Sequence, residues 1–317
     1  MTVSWLCCSP ARSPMLDTTL VLLLQEQASP ALTEIMRAVS FWGFAPSCLA
    51  VAIVCGFGWR LRLGVTLILA IIFADAITIV AKGAFASPRP HAIDARVRTF
   101  DAFESELPPM AMGTSVPADD FGFPSGHVAT TAAWALGLAW SRRKPWQLGA
   151  AATWIVLMAV SRMYLGRHFP ADVLGGLVVG VAGLAIARLE LPSAATGVGT
   201  LTAGTRTALG VSLIVAVGLA ALSGAGLGAH DAGRFCGLLG ATLLLMHERV
   251  LDDSVPPATR MARMVVALIL FGAALWSSTW TITTRPDLVV MSTMAISAAL
   301  HASVLLVPAL ALGGHRS

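Results

Sequence analysis

Apolar residues come along this chain in long blocks separated by short polar joins. The blocks cover residues 33–58, 63–84, 126–141, 147–163, 170–188, 207–228, 234–248, 262–282 and 288–312. A bilayer core of about 30 Å takes about 20 apolar residues as a helix, so the pattern predicts an all-α, polytopic membrane bundle of about nine spans. The shorter blocks would extend into their polar flanks. Ahead of them, "MLDTTLVLLLQEQ" from Met15 to Gln27 predicts an amphipathic helix too short to span, lying at the interface. Residues 1–14 lack the charged start and apolar core of a signal peptide, which makes Met15 a candidate start. Four regions follow: 1–32, a tail with the interfacial helix; 33–190, a core with the first five spans and every dense charged motif; 191–206, a Ser-, Ala-, Thr- and Gly-rich cytoplasmic linker; and 207–317, a four-span extension with no motif.

Composition supports the membrane reading. Of the 317 residues, 56% are hydrophobic and 12% charged, where a soluble domain carries about a quarter charged; the mean hydropathy is +0.77. A net charge of +4 would point to nucleic acid in a soluble protein. Here the basic residues gather in short loops, which favours bilayer orientation and excludes a nucleic-acid partner. Arg60, Arg62, Arg142, Arg143, Lys144, Arg188, Arg206, Arg249, Arg260, Arg263 and Arg316 fall on one side if the spans alternate. The positive-inside rule makes that side cytoplasmic, with the N-terminus outside and the C-terminus inside. The other side receives the loop 91–123, which holds Asp94, Asp101, Glu104, Glu106, Asp119 and Asp120. It reads as a solvated lid or linker, or as a gate for substrate. The five cysteines show neither metal-knuckle nor disulfide spacing.

Three charged clusters sit at span ends on that outer side: "KGAFASPRP" from Lys82, "PSGH" from Pro124 and "SRMYLGRHFPAD" from Ser161. Charge beside the hydrocarbon is costly, so three clusters at one depth imply a shared site. Lys82, Arg89, Arg162 and Arg167 concentrate positive charge, and arginine forks suit the oxygens of a phosphate. Ser125 and Gly126 open an apolar helical run, where backbone N–H groups and a hydroxyl make an anion site. His127 and His168 bring imidazoles from different spans. Asp172 follows His168 by one helical turn, so it can accept from one ring nitrogen and leave the other to attack phosphorus. The second histidine can protonate the departing oxygen. The pattern suggests phosphoryl transfer through a phosphohistidine. A metal is disfavoured by the cations in the same pocket and by the absence of HExxH spacing.

Taken together, these segments resemble the type-2 phosphatidate phosphatase superfamily, which includes glucose-6-phosphatase and the vanadium-dependent haloperoxidases. Lysine, six residues, then Arg-Pro is matched by Lys82, Arg89 and Pro90. Pro-Ser-Gly-His is matched by Pro124 to His127. Ser-Arg, five residues, His, three residues, Asp is matched by Ser161, Arg162, His168 and Asp172. The resemblance implies His168 as nucleophile, Asp172 as its orienting partner and His127 as general acid. It implies that Lys82, Arg89, Arg162, Ser125 and Gly126 hold the phosphate, with no cofactor. Arg167 falls on a position the family leaves free and reads either as a headgroup contact or as an interfacial anchor.

The expected substrate is a phosphorylated lipid met at the outer face of a bacterial inner membrane, such as undecaprenyl diphosphate, phosphatidylglycerophosphate, phosphatidate or a sphingoid phosphate. A soluble sugar phosphate, transfer to a second lipid, and a lipid transporter that keeps a phosphate pocket remain alternatives. Asp75 reads as a structural hydrogen-bond acceptor or as a group tuning the site. Gly176 and Gly180 read as a close helix contact, His301 as a structural histidine, and His247 with Glu248 as a solvated boundary.

Overall fold

The computed structural model describes residues 16–100, 121–142, 144–190, 229–247, 255–284 and 290–311, with positions 211, 214 and 217. Outside the described residues fall most of the loop read as a lid (101–120), the linker 191–206, nearly all of the predicted span 207–228, and both termini. Arg143, Glu248 and the side chain of His247 fall outside them as well.

The described elements are helices: α1 (Thr19–Glu26), α2 (Pro30–Phe41), α3 (Ala45–Gly58), α4 (Leu61–Phe85), α5 (Pro90–Ile93), α6 (Gly126–Arg142), α7 (Pro145–Tyr164), α8 (Pro170–Glu190), α9 (Ala229–His247), α10 (Pro257–Thr284) and α11 (Val290–Ala311). Local chemistry sets several boundaries. The Ser29 hydroxyl accepts from the Leu32 N–H at 3.3 Å, with Pro30 in the first turn of α2. Proline also opens α5, α7, α8 and α10. Helix α4 stops where Ala86 takes a left-handed conformation (φ 43°) and its N–H returns to the Lys82 carbonyl.

Helix α4 is apolar on all sides and lies at the centre, as a helix without a polar face must. It packs against α3, α6, α8 and α9; α6 packs on α7 and α8; α9 and α10 pack on α11, and α10 on α3. Gly176 and Gly180 let α8 lie directly on α6, since a Cβ at Gly180 would stand 2.7 Å from the Ala132 Cβ. His301 is buried in α11 with Nδ1 2.8 Å from the Ser297 carbonyl, a structural placement. Helix α1 covers part of the segment read as interfacial, and the residues it buries are Val21 and Gln25.

The expectation of nine spans is corrected by the helices themselves. Among the described residues three are long and apolar enough to cross a membrane: Leu61–Ile93, Pro170–Arg188 and Pro257–Ser277. A fourth is added if α2 and α3, bent by 60° at their join, count as one broken span. Helix α6 has 17 residues, about 25 Å at 1.5 Å per residue. Helix α7 is long enough, but Gln147, Ser161 and Arg162 interrupt its apolar character. Among the described residues, Ala232–Leu245 of α9 and Thr293–Ala309 of α11 are shorter apolar helices. Much of the hydrophobicity is bundle interior: Val128, Ala129, Ala132 and Ala133 of α6 are fully buried. The placing of the N-terminus outside and the C-terminus inside rested on nine alternating spans and falls with that count.

Candidate active site

The three motifs meet where α4 ends, α6 and α8 begin, and α7 turns into α8. Gly122 joins them. Its N–H donates to the Ser87 carbonyl at 2.7 Å, and a Cβ there would stand 2.8 Å from Asp172 Oδ2 and 3.0 Å from the Pro88 carbonyl. Three residues on, the Ser125 N–H donates to the Asp172 carbonyl at 2.9 Å. Backbone contacts thus tie the Arg-Pro segment, the Pro-Ser-Gly-His segment and the start of α8 to one another.

Asp172 lies in the first turn of α8, and its Oδ2 accepts from the Phe169 N–H at 2.9 Å, which satisfies one of the exposed donors of the helix start. The same oxygen lies 3.5 Å from His168 Nδ1, within ion-pair range but longer than a good hydrogen bond. His168 is 2% exposed. Burial pushes its pKa well below the usual 6.5, and the charges of Arg162, Arg89, Lys82 and His127 push the same way. A neutral imidazole therefore stands inside a ring of cationic side chains.

The ring is built from both sides. Arg162 is 1% exposed and its Nη1 donates to Ser40 Oγ of α2 at 2.5 Å, while the neighbouring Ser161 hydroxyl donates to the Met36 carbonyl at 2.8 Å. Arg89 is buried at the entry to α5, and Lys82 is half-buried in the last turn of α4. Ser125 is fully buried, and its hydroxyl has no hydrogen-bond partner among the described residues. Gly126 is the first residue of α6, so backbone donors of the helix start face the same region.

The His127 ring lies edge-on to Phe44, 4.5 Å between centroids, and a Cβ at Gly43 would come within 2.8 Å of its Cδ2. Thr130 Oγ1 donates to the Gly43 carbonyl at 2.8 Å and holds that bend in place. Arg167 is half-buried, and its N–H donates to the Arg162 carbonyl at 3.1 Å.

The structure therefore gathers Lys82, Arg89, Ser125, Gly126, His127, Arg162, His168 and Asp172; Arg167, next in sequence to His168, is half-buried. The structure also adds Gly43, Phe44 and Ser40, which carry no charge and lie in no motif.

Residues 63–195 match the PAP2 superfamily. This stretch belongs to that family. The matched stretch holds nearly all of α4, continues through α8 and includes all three motifs, while α1 to α3 and α9 to α11 lie outside it. Phosphatidylglycerophosphatase B of Escherichia coli is 37% identical over 70 residues, 21% of this chain and 28% of that protein. The lipid A 4'-phosphatase of Bacteroides thetaiotaomicron is 37% identical over 60 residues, 19% of this chain and 27% of that protein. This chain thus spans little more than a quarter of the length of either relative. The crystal structure of Aquifex aeolicus LpxE superposes at 24% identity with a TM-score of 0.45, covering 54% of this chain and 94% of that one.

Proposed function

We propose that the PAP2 domain releases phosphate from a lipid phosphate monoester or diphosphate through a phosphohistidine on His168. One observation carries this reading: a buried histidine held neutral within a ring of Lys82, Arg89, Arg162 and His127, with Asp172 behind it. His168 Nε2 attacks phosphorus as the bond to the leaving oxygen breaks, and His127 gives that oxygen its proton. The cations and the α6 N-terminus balance the charge spread over the equatorial oxygens. Asp172 accepts from Nδ1–H, a contact that tightens as the ring becomes cationic. Water then attacks the phosphohistidine, His127 takes its proton, and inorganic phosphate leaves.

A lipid substrate is favoured by the surroundings. Val80 and Phe85, on either side of Lys82, are 71% and 66% exposed on a helix long enough to cross a bilayer. Both relatives above are named for lipid phosphates. For a bacterial inner membrane we favour an outward-facing site. Arg60, Arg62, Lys144 and Arg188 lie at the opposite ends of α4, α7 and α8, the end the positive-inside rule assigns to the cytoplasm.

The test is phosphate release by purified protein from phosphatidate, phosphatidylglycerophosphate and undecaprenyl diphosphate against glucose 6-phosphate, with and without EDTA. Release from one or more lipids that EDTA leaves intact is expected. Release from the sugar phosphate alone, or its loss with EDTA, overturns the reading.

The pH dependence has a definite sign. His168 must be neutral to attack, and its pKa lies below 6.5, so the acid limb of kcat/KM lies below that value. Lys82→Gln removes one of the charges that lower it, so the acid limb moves to higher pH as the rate falls. Rate profiles of wild type and Lys82→Gln across pH 4 to 8 check both.

A further inference from the structure

The turn that delivers His168 is clasped from outside the PAP2 domain. Gln25 of α1 is 3% exposed and uses its whole side chain. Its Nε2 donates to the Arg98 carbonyl at 2.7 Å and to the Tyr164 carbonyl at 2.9 Å, and its Oε1 accepts from the Arg98 N–H at 3.0 Å. Arg98 Nη2 returns a bond to the Gln25 carbonyl at 2.9 Å.

Around this amide the segment Val97–Phe100 is stitched to both neighbours. Arg37 Nε donates to the Phe100 carbonyl at 2.7 Å, the Phe100 N–H donates to the Leu165 carbonyl at 3.3 Å, and Phe100 stacks on Tyr164. The Tyr164 hydroxyl meets Thr33 Oγ1 at 2.8 Å. Gly166, two residues before His168, has φ 76° and lies against the clasp: a Cβ there would run into the Arg98 carbonyl and stand 3.2 Å from Gln25 Nε2. Only glycine suits both the conformation and the space.

We infer that Gln25 is a positioning residue for phosphoryl transfer: with Arg98 it fixes the Tyr164–Gly166 turn and so sets where the His168 ring stands against the phosphate. This rests on the reading of His168 as nucleophile. The distinction from ordinary packing is directional. A buried amide with both ends bonded defines one position of the two carbonyls it joins, whereas an apolar side chain of that size would fill the space without defining it.

The test uses the full chain in detergent micelles with phosphatidate as probe. Gln25→Ala is expected to lower kcat about 10- to 100-fold, the scale of a small misplacement of reacting groups, with KM within about twofold and the thermal midpoint still well above the assay temperature. Gln25→Glu keeps the acceptor and the size but sets a carboxylate against two carbonyls, and is expected to lose as much kcat. A readout independent of turnover is the rate at which diethyl pyrocarbonate modifies His168, followed by peptide mass spectrometry. It is expected to rise several-fold in either variant while that of His91 holds.

If Gln25→Ala does not fold, Gln25→Met, which keeps the volume and loses all three side-chain bonds, takes its place with the same expectations. A folded variant with the wild-type kcat and wild-type protection of His168, or one altered only in KM, overturns the inference. Failure of the unmodified protein to release phosphate overturns the functional reading instead, and His168 protection still decides the clasp.

Discussion

His168→Ala is expected to lower phosphate release by about four orders of magnitude or more while the protein remains folded. The size follows from the role. Removing a nucleophile removes the covalent route altogether, and what survives is the weak catalysis of a charged pocket acting on water. His127→Ala should cost less, about 10²- to 10⁴-fold, the usual worth of a positioned proton donor, and its deficit should shrink for substrates with a better leaving group. The two variants also differ in what accumulates. Rapid acid-free quenching with ³²P-labelled substrate should trap label on wild-type protein and none on His168→Ala. Folding should be spared, because His168 is a neutral ring ringed by cations and contributes no hydrogen bond that the rest of the bundle needs. Release by His168→Ala within tenfold of wild type would remove His168 from the chemistry.

The candidate site was legible in the sequence because the residue types suited to holding an anion are few. Arginine, lysine, a helix-opening Ser-Gly and paired imidazoles stand out against 12% charge, and the fold brings them together. Hydropathy misled the count of spans because it scores an apolar residue without regard to its neighbour: the buried alanines of α6 touch other helices, yet read like lipid-facing ones. The supporting residues were illegible for another reason. Ser40 is an ordinary hydroxyl 122 positions from the arginine it binds, and Gln25 an ordinary amide 139 positions from Tyr164. Nothing local marks either, because their meaning lies in the partner. The bend at Gly43 is similar: its lack of a side chain matters only because His127 and Met158 occupy the space where a Cβ would stand.

Arg234→Met is expected to destabilise the molecule by about 1–3 kcal/mol, the usual cost of leaving one partner of a partly buried charged hydrogen bond unpaired. Arg234 Nη2 of α9 donates to Asp75 Oδ2 of α4 at 2.6 Å, with side-chain exposures of 8% and 23%. Asp75 had two readings in the sequence, a hydrogen-bonded structural acid or a group tuning the site, and its partner turns out to lie 159 residues away, outside the PAP2 domain. The pair therefore joins the C-terminal helices to the central helix of the site, next to the edge-on contact of Phe73 with Phe235.

Asp75→Leu combined with Arg234→Met should recover most of the loss, since an apolar pair of similar volume avoids the cost of burying charge. Thermal midpoints of wild type, both single variants and the double variant form the cycle that isolates the coupling. Turnover below those midpoints separates the two readings of Asp75. It lies seven residues before Lys82, on nearly the same face of α4, so a tuning role would leave the double variant stable but slow. An ion pair that only docks α9 would leave it stable and as active as wild type, which is the outcome expected from a carboxylate already committed to Arg234.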